Sequence, residues 1–195
     1  MNVKSFNRFF YKVLSESPKF TGDFESPYAD SEDARRMYDD ILHNDSNNYQ
    51  KVFTLFDNNQ VYLYEHREDN DVELYFVPAN DDFIYGYTTG EILSDGGIMM
   101  TSVYNNKMYF GLAYKVYDEY LLAHYPYILS SSHHSKDGQS FWRKLVSRHL
   151  NTNKIEIWDI INNMMIQPIN SVEDLIEFYG HTDTFERYRI KIYGK

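Results

Sequence analysis

Apolar and polar positions alternate with two different periods along this chain, and the change of period divides it into helices and strands. In "SFNRFFYKVLSES", Phe6, Phe9, Phe10 and Val13 recur at helical spacing, and Pro18 forbids continuation. In "SEDARRMYDDIL", Ala34, Met37, Tyr38 and Ile41 share one face behind an acidic first turn, with Ser31 as cap. After "DSNNYQ" the pattern becomes strand-like. "KVFTLFD", "QVYLYEHRE" and "DVELYFVP" are rich in β-branched and aromatic residues and are parted by polar links at 57–59 and 68–71, which predicts two successive hairpins. "FIYGYTTGEIL" and "GGIMMTSVY" form a further pair joined through Asp95-Gly96, a hairpin dipeptide.

The period then returns to helical. "GLAYKVYDEYLLAH" is apolar at Leu112, Val116, Tyr120 and Ala123 and is stopped by Pro126. "YILSSS" reads as a short buried strand. A helix follows from Ser135 or Asp137, with Phe141, Leu145 and Val146 on its apolar face and Asn151 and Asn153 closing it. "KIEIWDI", "MMIQPI" and "RYRIKIYG" read as strands, with a short helix "SVEDLIEFYG" capped by Ser171 and ended by Gly180. No composition break, repeat or linker interrupts this order, so one domain over 1–195 is expected. Its parts are N-terminal helices to 48, a meander with its following helix over 49–125, and C-terminal strands and helices over 126–195.

Composition narrows the function classes. Among 195 residues, 19 Tyr and 13 Phe supply much of the buried area, which excludes a disordered chain. There is no cysteine, so disulfides, thiolate zinc sites and cysteine nucleophiles are excluded. A net charge of −10 opposes broad binding to phosphate backbones. No long apolar run suggests a signal peptide or membrane span, and a cytoplasmic protein is the plain expectation.

Two stretches carry candidate chemistry. In "SVYNNKMYFGLAYKVYDEYL" a strand runs through a polar turn and Gly111 into a helix, whose first backbone N–H groups and dipole favour an anion. Gly111 and Ala113 keep side chains out of the approach, leaving the N–H groups from Phe110 to Tyr114 as donors, with Lys107 and Lys115 able to add charge. "SSSHHS" follows the presumed central strand, where loops commonly carry function. His133 there is a candidate general base near neutral pH. No metal-ligand spacing accompanies the adjacent histidines, so no metal is expected.

The element order, with the spacing inside residues 98–145, resembles the GCN5-related N-acetyltransferase family. In that family a strand ending in valine leads through a short turn into Arg/Gln-x-x-Gly-x-Gly/Ala and a helix. "VYNNKMYFGLA" has that length from Val103, with Gly111 and Ala113 on the second and third key positions. Met108 stands at the Arg/Gln position, and Tyr109 and Phe110 replace a common glycine and a basic residue. A second family pattern maps onto "SKDGQSFWRKL", with Ser135 for an asparagine, Gly138 for an alanine and Trp142 for a tyrosine.

The resemblance implies an α+β fold, with a mostly antiparallel twisted sheet of six to seven strands and helices on both faces. It implies acetyl-CoA bound by the main chain of Thr101 and Val103 and by the loop and helix start at Met108, Tyr109, Phe110, Gly111, Leu112, Ala113 and Tyr114. Residues Leu129 to Ser131 would then face the thioester, with His133, Ser131 and Glu91 as catalytic candidates and Asp95 as an alternative base. The implied reaction is direct acetyl transfer to a small amine, a modified-nucleotide amine or a protein amine. The family's usual acid is the tyrosine that Trp142 replaces, and an indole cannot donate that proton. The alternative is therefore an inactive relative that acts through a protein partner, such as a phage anti-defence or virion protein, since the tyrosine- and asparagine-rich texture resembles phage-encoded members.

Overall fold

The computed structural model describes residues 32–56, 61–105, 111–131, 136–175 and 187–194. The first expected helix, with Phe6, Phe9, Phe10 and Val13, lies outside them, as do Ser31, Ser135 and Gly180. The described chain is an α+β fold built on one mixed sheet.

The chain begins with α1 (Glu32–Asp39), which runs on into a wide turn at Asp40–Asn44. Its predicted face is the observed one: Ala34, Met37 and Ile41 are buried. Five antiparallel neighbours follow as a meander: β1 (Gln50–Phe56), β2 (Val61–Glu68), β3 (Asp71–Pro78), β4 (Gly86–Ile92) and β5 (Ile98–Asn105). The β4–β5 turn uses Gly96 at φ +86°, a conformation open to glycine at no steric cost.

A helix over residues 112–124, here α2, joins β5 to β6 (Tyr127–Leu129), and β6 lies parallel to β5. Next come α3 (Lys136–His149), β7 (Ile155–Asp159), β8 (Met164–Pro168) and β9 (Tyr188–Tyr193). Strand β9 inserts between β6 and β7, giving the order β1-β2-β3-β4-β5-β6-β9-β7-β8.

Nine strands form this sheet, not six or seven. The extra strands are explained by pairing at both borders: β1 adds to β2 at one edge and β8 to β7 at the other. The expected short helix after Ser171 is, within the described residues, a single turn at Glu173–Leu175. Its capping group is the Asp174 carboxylate, which accepts from the backbone N–H groups of Asn170 and Ser171 and from the Ser171 hydroxyl.

Alternation along β3 shows how the layers are arranged. Val72, Leu74 and Phe76 join the core beneath α2 and α3, while Tyr75 and Val77 join a second cluster with Ala34, Met37 and Ile41 of α1. Helices therefore cover both faces of this part of the sheet.

Helix α2 departs from the expected face. Leu112, Val116 and Tyr120 are buried as predicted, but Ala123 is exposed, while Tyr117, Leu121 and Leu122 are buried. The cause is the π-helical stretch Val116–Leu121, whose wider turns rotate the buried stripe away from a 3.6-residue period.

Candidate functional site

The parallel contact between β5 and β6 consists of two residue pairs, Ile98 with Ile128 and Met99 with Leu129. Among the described residues no further β5–β6 pair forms beyond it. Strand β6 ends, and Ser130 turns wholly to β9: its N–H donates to the Ile190 carbonyl at 2.9 Å, and its hydroxyl accepts the Ile190 N–H at 3.0 Å. Strand β5 continues for six more residues with β4.

At the parting point β5 carries a bulge. Thr89 pairs with Ser102 and Gly90 with Met100, so Thr101 is the extra residue. Gly90, paired with the neighbouring Met100, is tightly enclosed: an added Cβ would lie 3.0 Å from both the Met99 carbonyl oxygen and Ile98 Cγ1. Exposed Thr101 meets the Thr89 hydroxyl at 2.7 Å, and Thr89 also meets the Ser102 hydroxyl at 2.6 Å. Val103 packs against the core beneath α2.

The chain re-enters the described region at Gly111, with φ +100°. Lys115 donates its backbone N–H to the Gly111 carbonyl at 3.1 Å, so the N–H groups of Leu112, Ala113 and Tyr114 precede the first bond of the helix ladder. A Cβ placed on Gly111 would meet nothing within 4 Å. Among the described residues, nothing therefore crowds residue 111 at the helix entrance. An open groove of about 650 Å³ begins there, lined by Gly111, Tyr114, Lys115, Asp118, Lys144 and Arg148 among others.

The expected binding residues divide by location. Leu112 and Ala113 send their side chains into the core, so only their main chain could serve a ligand. Tyr114 is half-buried and stacks on Phe141 with ring centroids 4.7 Å apart, forming one wall of the groove. Met108, Tyr109, Phe110, Lys107 and His133 lie outside the described residues. Lys115 does not stand ready for a phosphate. Its ammonium donates to the Leu55 carbonyl and lies 3.5 Å from Glu119.

The catalytic candidates are related through sheet register. Glu91 pairs with Met99, Met99 with Leu129 and Leu129 with Lys191, so these residues form one row across β4, β5, β6 and β9. The adjacent row, Ile98, Ile128 and Ile192, is buried in the core beneath α2 and α3. Glu91 is thus exposed on the sheet face opposite those helices, and half-buried Ser131 follows two residues after Leu129.

Two other residues from the sequence have structural work. Asp95 accepts the Tyr127 hydroxyl with both carboxylate oxygens, at 2.6 and 2.7 Å, and this bond holds its carboxyl below the usual range. Trp142 is 4% exposed and packs edge-on against Tyr117 and Phe141, so it belongs to the core. Tyr117 is equally buried, 3.4 Å from the Thr88 hydroxyl, and burial pushes its phenol far up.

Sequence reasoning missed the polar tie between α2 and α3. His149 Nε2 lies 2.6 Å from Asp118 Oδ1, its Nδ1 lies 2.9 Å from Asn153 Oδ1, and Arg148 Nε donates to Asp118 Oδ2 at 3.0 Å. It also missed buried Glu65, which accepts from Arg67 at 2.5 Å and from the Tyr120 hydroxyl at 3.0 Å. Asp118 and His149 are 31 positions apart, and no local pattern announces such a partner.

Among the described residues, no group of three or more His, Asp or Glu side chains is placed to hold a metal ion. Nor is any described helix long and apolar enough to cross a membrane. No family model, curated protein or solved structure matches the chain.

Proposed function

We propose that this protein is an acyl-CoA-dependent N-acyltransferase that passes an acetyl group directly to an amine in a ternary complex. The observation that carries this reading is the end of β5–β6 pairing, among the described residues, at Met99 and Leu129, with a bulge at Thr101 and a helix entered through Gly111 at φ +100°. A gap between parallel strands leaves main-chain groups without a ladder partner. An extended pantetheine arm, with two amide groups, is a ligand that could pair with the main chain of Thr101 and Val103.

The helix entrance suits the anionic end of such a ligand. Leu112, Ala113 and Tyr114 bring N–H groups that the helix does not use, at its positive end. Residue 111 brings no side chain to that cradle, and at φ +100° it takes a conformation that favours glycine.

Acetyl-CoA would supply an activated thioester. In the transfer, the amine nitrogen bonds to the carbonyl carbon, the carbon–sulfur bond breaks, and the thiol leaves with a proton. Glu91, in the row with Met99 and Leu129, is the described candidate for taking the amine proton from the sheet face opposite α2. His133 and Ser131 are the candidates from the loop after β6. The transfer also calls for a backbone N–H to stabilise the oxyanion, and that of Ser130 is already given to the Ile190 carbonyl.

One observation favours a second reading, an inactive relative that binds a partner. Trp142, at the position of the family's acid, is buried against Tyr117 and Phe141 and offers no acid to a leaving thiolate. Release of free CoA thiol from acetyl-CoA separates the two, measured across small amines, aminonucleosides and lysine peptides. Amine-dependent release that Glu91→Gln slows supports the transferase. Acetyl-CoA binding without release for any amine supports the inactive relative.

A further inference from the structure

All large apolar side chains that the described residues leave exposed lie in one hairpin: Ile160, Ile161, Met164, Met165 and Ile166. Ile161 is 71% exposed and Met164 51%. The hairpin joins β7 to β8, and β8 is the last strand of the sheet. Scattered apolar side chains on a surface need no explanation, but a contiguous group on a sheet edge marks a contact surface.

We infer that this hairpin is the interface of a symmetric dimer, in which it packs against the same hairpin of a second copy. Charge favours that occupant. Residues 160–169, "IINNMMIQPI", contain no charged side chain in a chain of net charge −10. Two such chains repel one another wherever their acidic surfaces meet, and approach most easily where neither brings a charge. A basic partner would gain nothing from this edge. The carboxylate nearest the tip is already neutralised, because Asp159 accepts from the Arg187 guanidinium and from the N–H groups of Ile161 and Asn162.

That same carboxylate fixes the tip before association, which reduces the ordering cost of a contact. The edge also limits growth. Trp158 pairs with Met165 and Ile157 with Gln167, so Ile166 is bulged out, and Pro168 lacks an N–H. A continuous ladder between copies is therefore interrupted. Side-chain packing about a two-fold axis remains, and this closes at two copies instead of extending into a fibre.

The test is the solution mass of the full chain by light scattering after gel filtration, at about 100 µM, where a weak contact is populated. The expected mass is twice the 23.3 kDa of one chain, falling toward one chain on dilution. The double variant Ile161→Asp, Met164→Lys should run as a monomer at that concentration, with the melting temperature of the dilute, dissociated wild type, since both positions are exposed. A monomeric wild type, or a dimer that survives the double variant, overturns the inference. Because the chain has no cysteine, Ile161→Cys gives a second readout. Under mild oxidation it should form a covalent dimer, whereas Asp82→Cys, on an exposed carboxylate in the β3–β4 loop, should not. Equal cross-linking of the two also contradicts it.

Discussion

Met99 on β5 and Leu129 on β6 are the last residues at which these two parallel strands lie side by side. Two residues later the bulge at Thr101 keeps β5 with β4, while one residue after Leu129 the Ser130 hydroxyl and N–H turn β6 to β9. The separation is thus built into both strands. It opens between a face covered by α2 and α3 and a face carrying Glu91, so a ligand passing through it would reach both sides of the sheet.

The burial of Trp142 leads to a prediction about acid catalysis. Trp142→Tyr puts a phenol at the position that the family resemblance assigns to the acid, but the position lies inside the core. The variant should lose about 1–3 kcal/mol of stability in chemical denaturation, through lost volume and an added hydroxyl in need of a partner. It should not raise CoA release. A gain in rate would mean that residue 142 reaches the reacting atoms.

Gly97 is tied to the Tyr127–Asp95 bond. A Cβ at residue 97 would fall on the Tyr127 ring, whose hydroxyl is held by Asp95 across the β4–β5 turn. Gly97→Ala should therefore cost about 1–3 kcal/mol, because neither the ring nor the backbone can shift without breaking that bond. Urea titration reads it directly. A neutral result would mean that the ring is free to move.

The tie between Asp118 and His149 predicts a pH dependence. His149 is raised, chiefly by its hydrogen bond to Asp118, with burial working against the charge. Its contribution is present below the unfolded value of about 6.5 and is lost as pH rises through the higher folded value. For Asp118, burial favours the neutral acid, but the bonds from His149 and Arg148 outweigh it and lower the carboxyl. That contribution is present above about 3.9 and is lost as pH falls through the lower folded value. His149→Gln should therefore lower the melting temperature most below about pH 6.5, with the gap narrowing as pH rises through the raised folded value. A gap of constant size from acid to alkaline pH would contradict the ion pair.

Much of this architecture could be read from local pattern, and what could not has identifiable causes. Ala34, Met37 and Ile41 sit on a regular 3.6-residue face and are buried as their spacing predicts. The nine segments that read individually as strands are the nine strands of the sheet. The lower count of six to seven came from the family resemblance and not from the segments themselves. Ala123 failed because the π-helical turns before it change the helical period, and no local residue pattern signals such a turn. The site was legible only where chain order fixes it. Gly111 marks the helix entrance, whereas the bulge at Thr101 and the turn of Ser130 to β9 depend on pairing between distant strands. Asp118 with His149 was illegible for the same reason.

Ligand-dependent stability tests the central claim most directly. Acetyl-CoA at about 100 times its dissociation constant should add about 2.7 kcal/mol, or a rise of about 5–10 °C in melting temperature for a chain of this size. Gly111→Ala should lower the starting melting temperature, since φ +100° strains any side chain, yet retain most of the rise because an added Cβ meets nothing within 4 Å among the described residues. Gly111→Glu should carry the same strain and abolish the rise, by placing a carboxylate at the helix entrance. No rise in the wild type at millimolar acetyl-CoA, or one that Gly111→Glu leaves unchanged, would contradict the account.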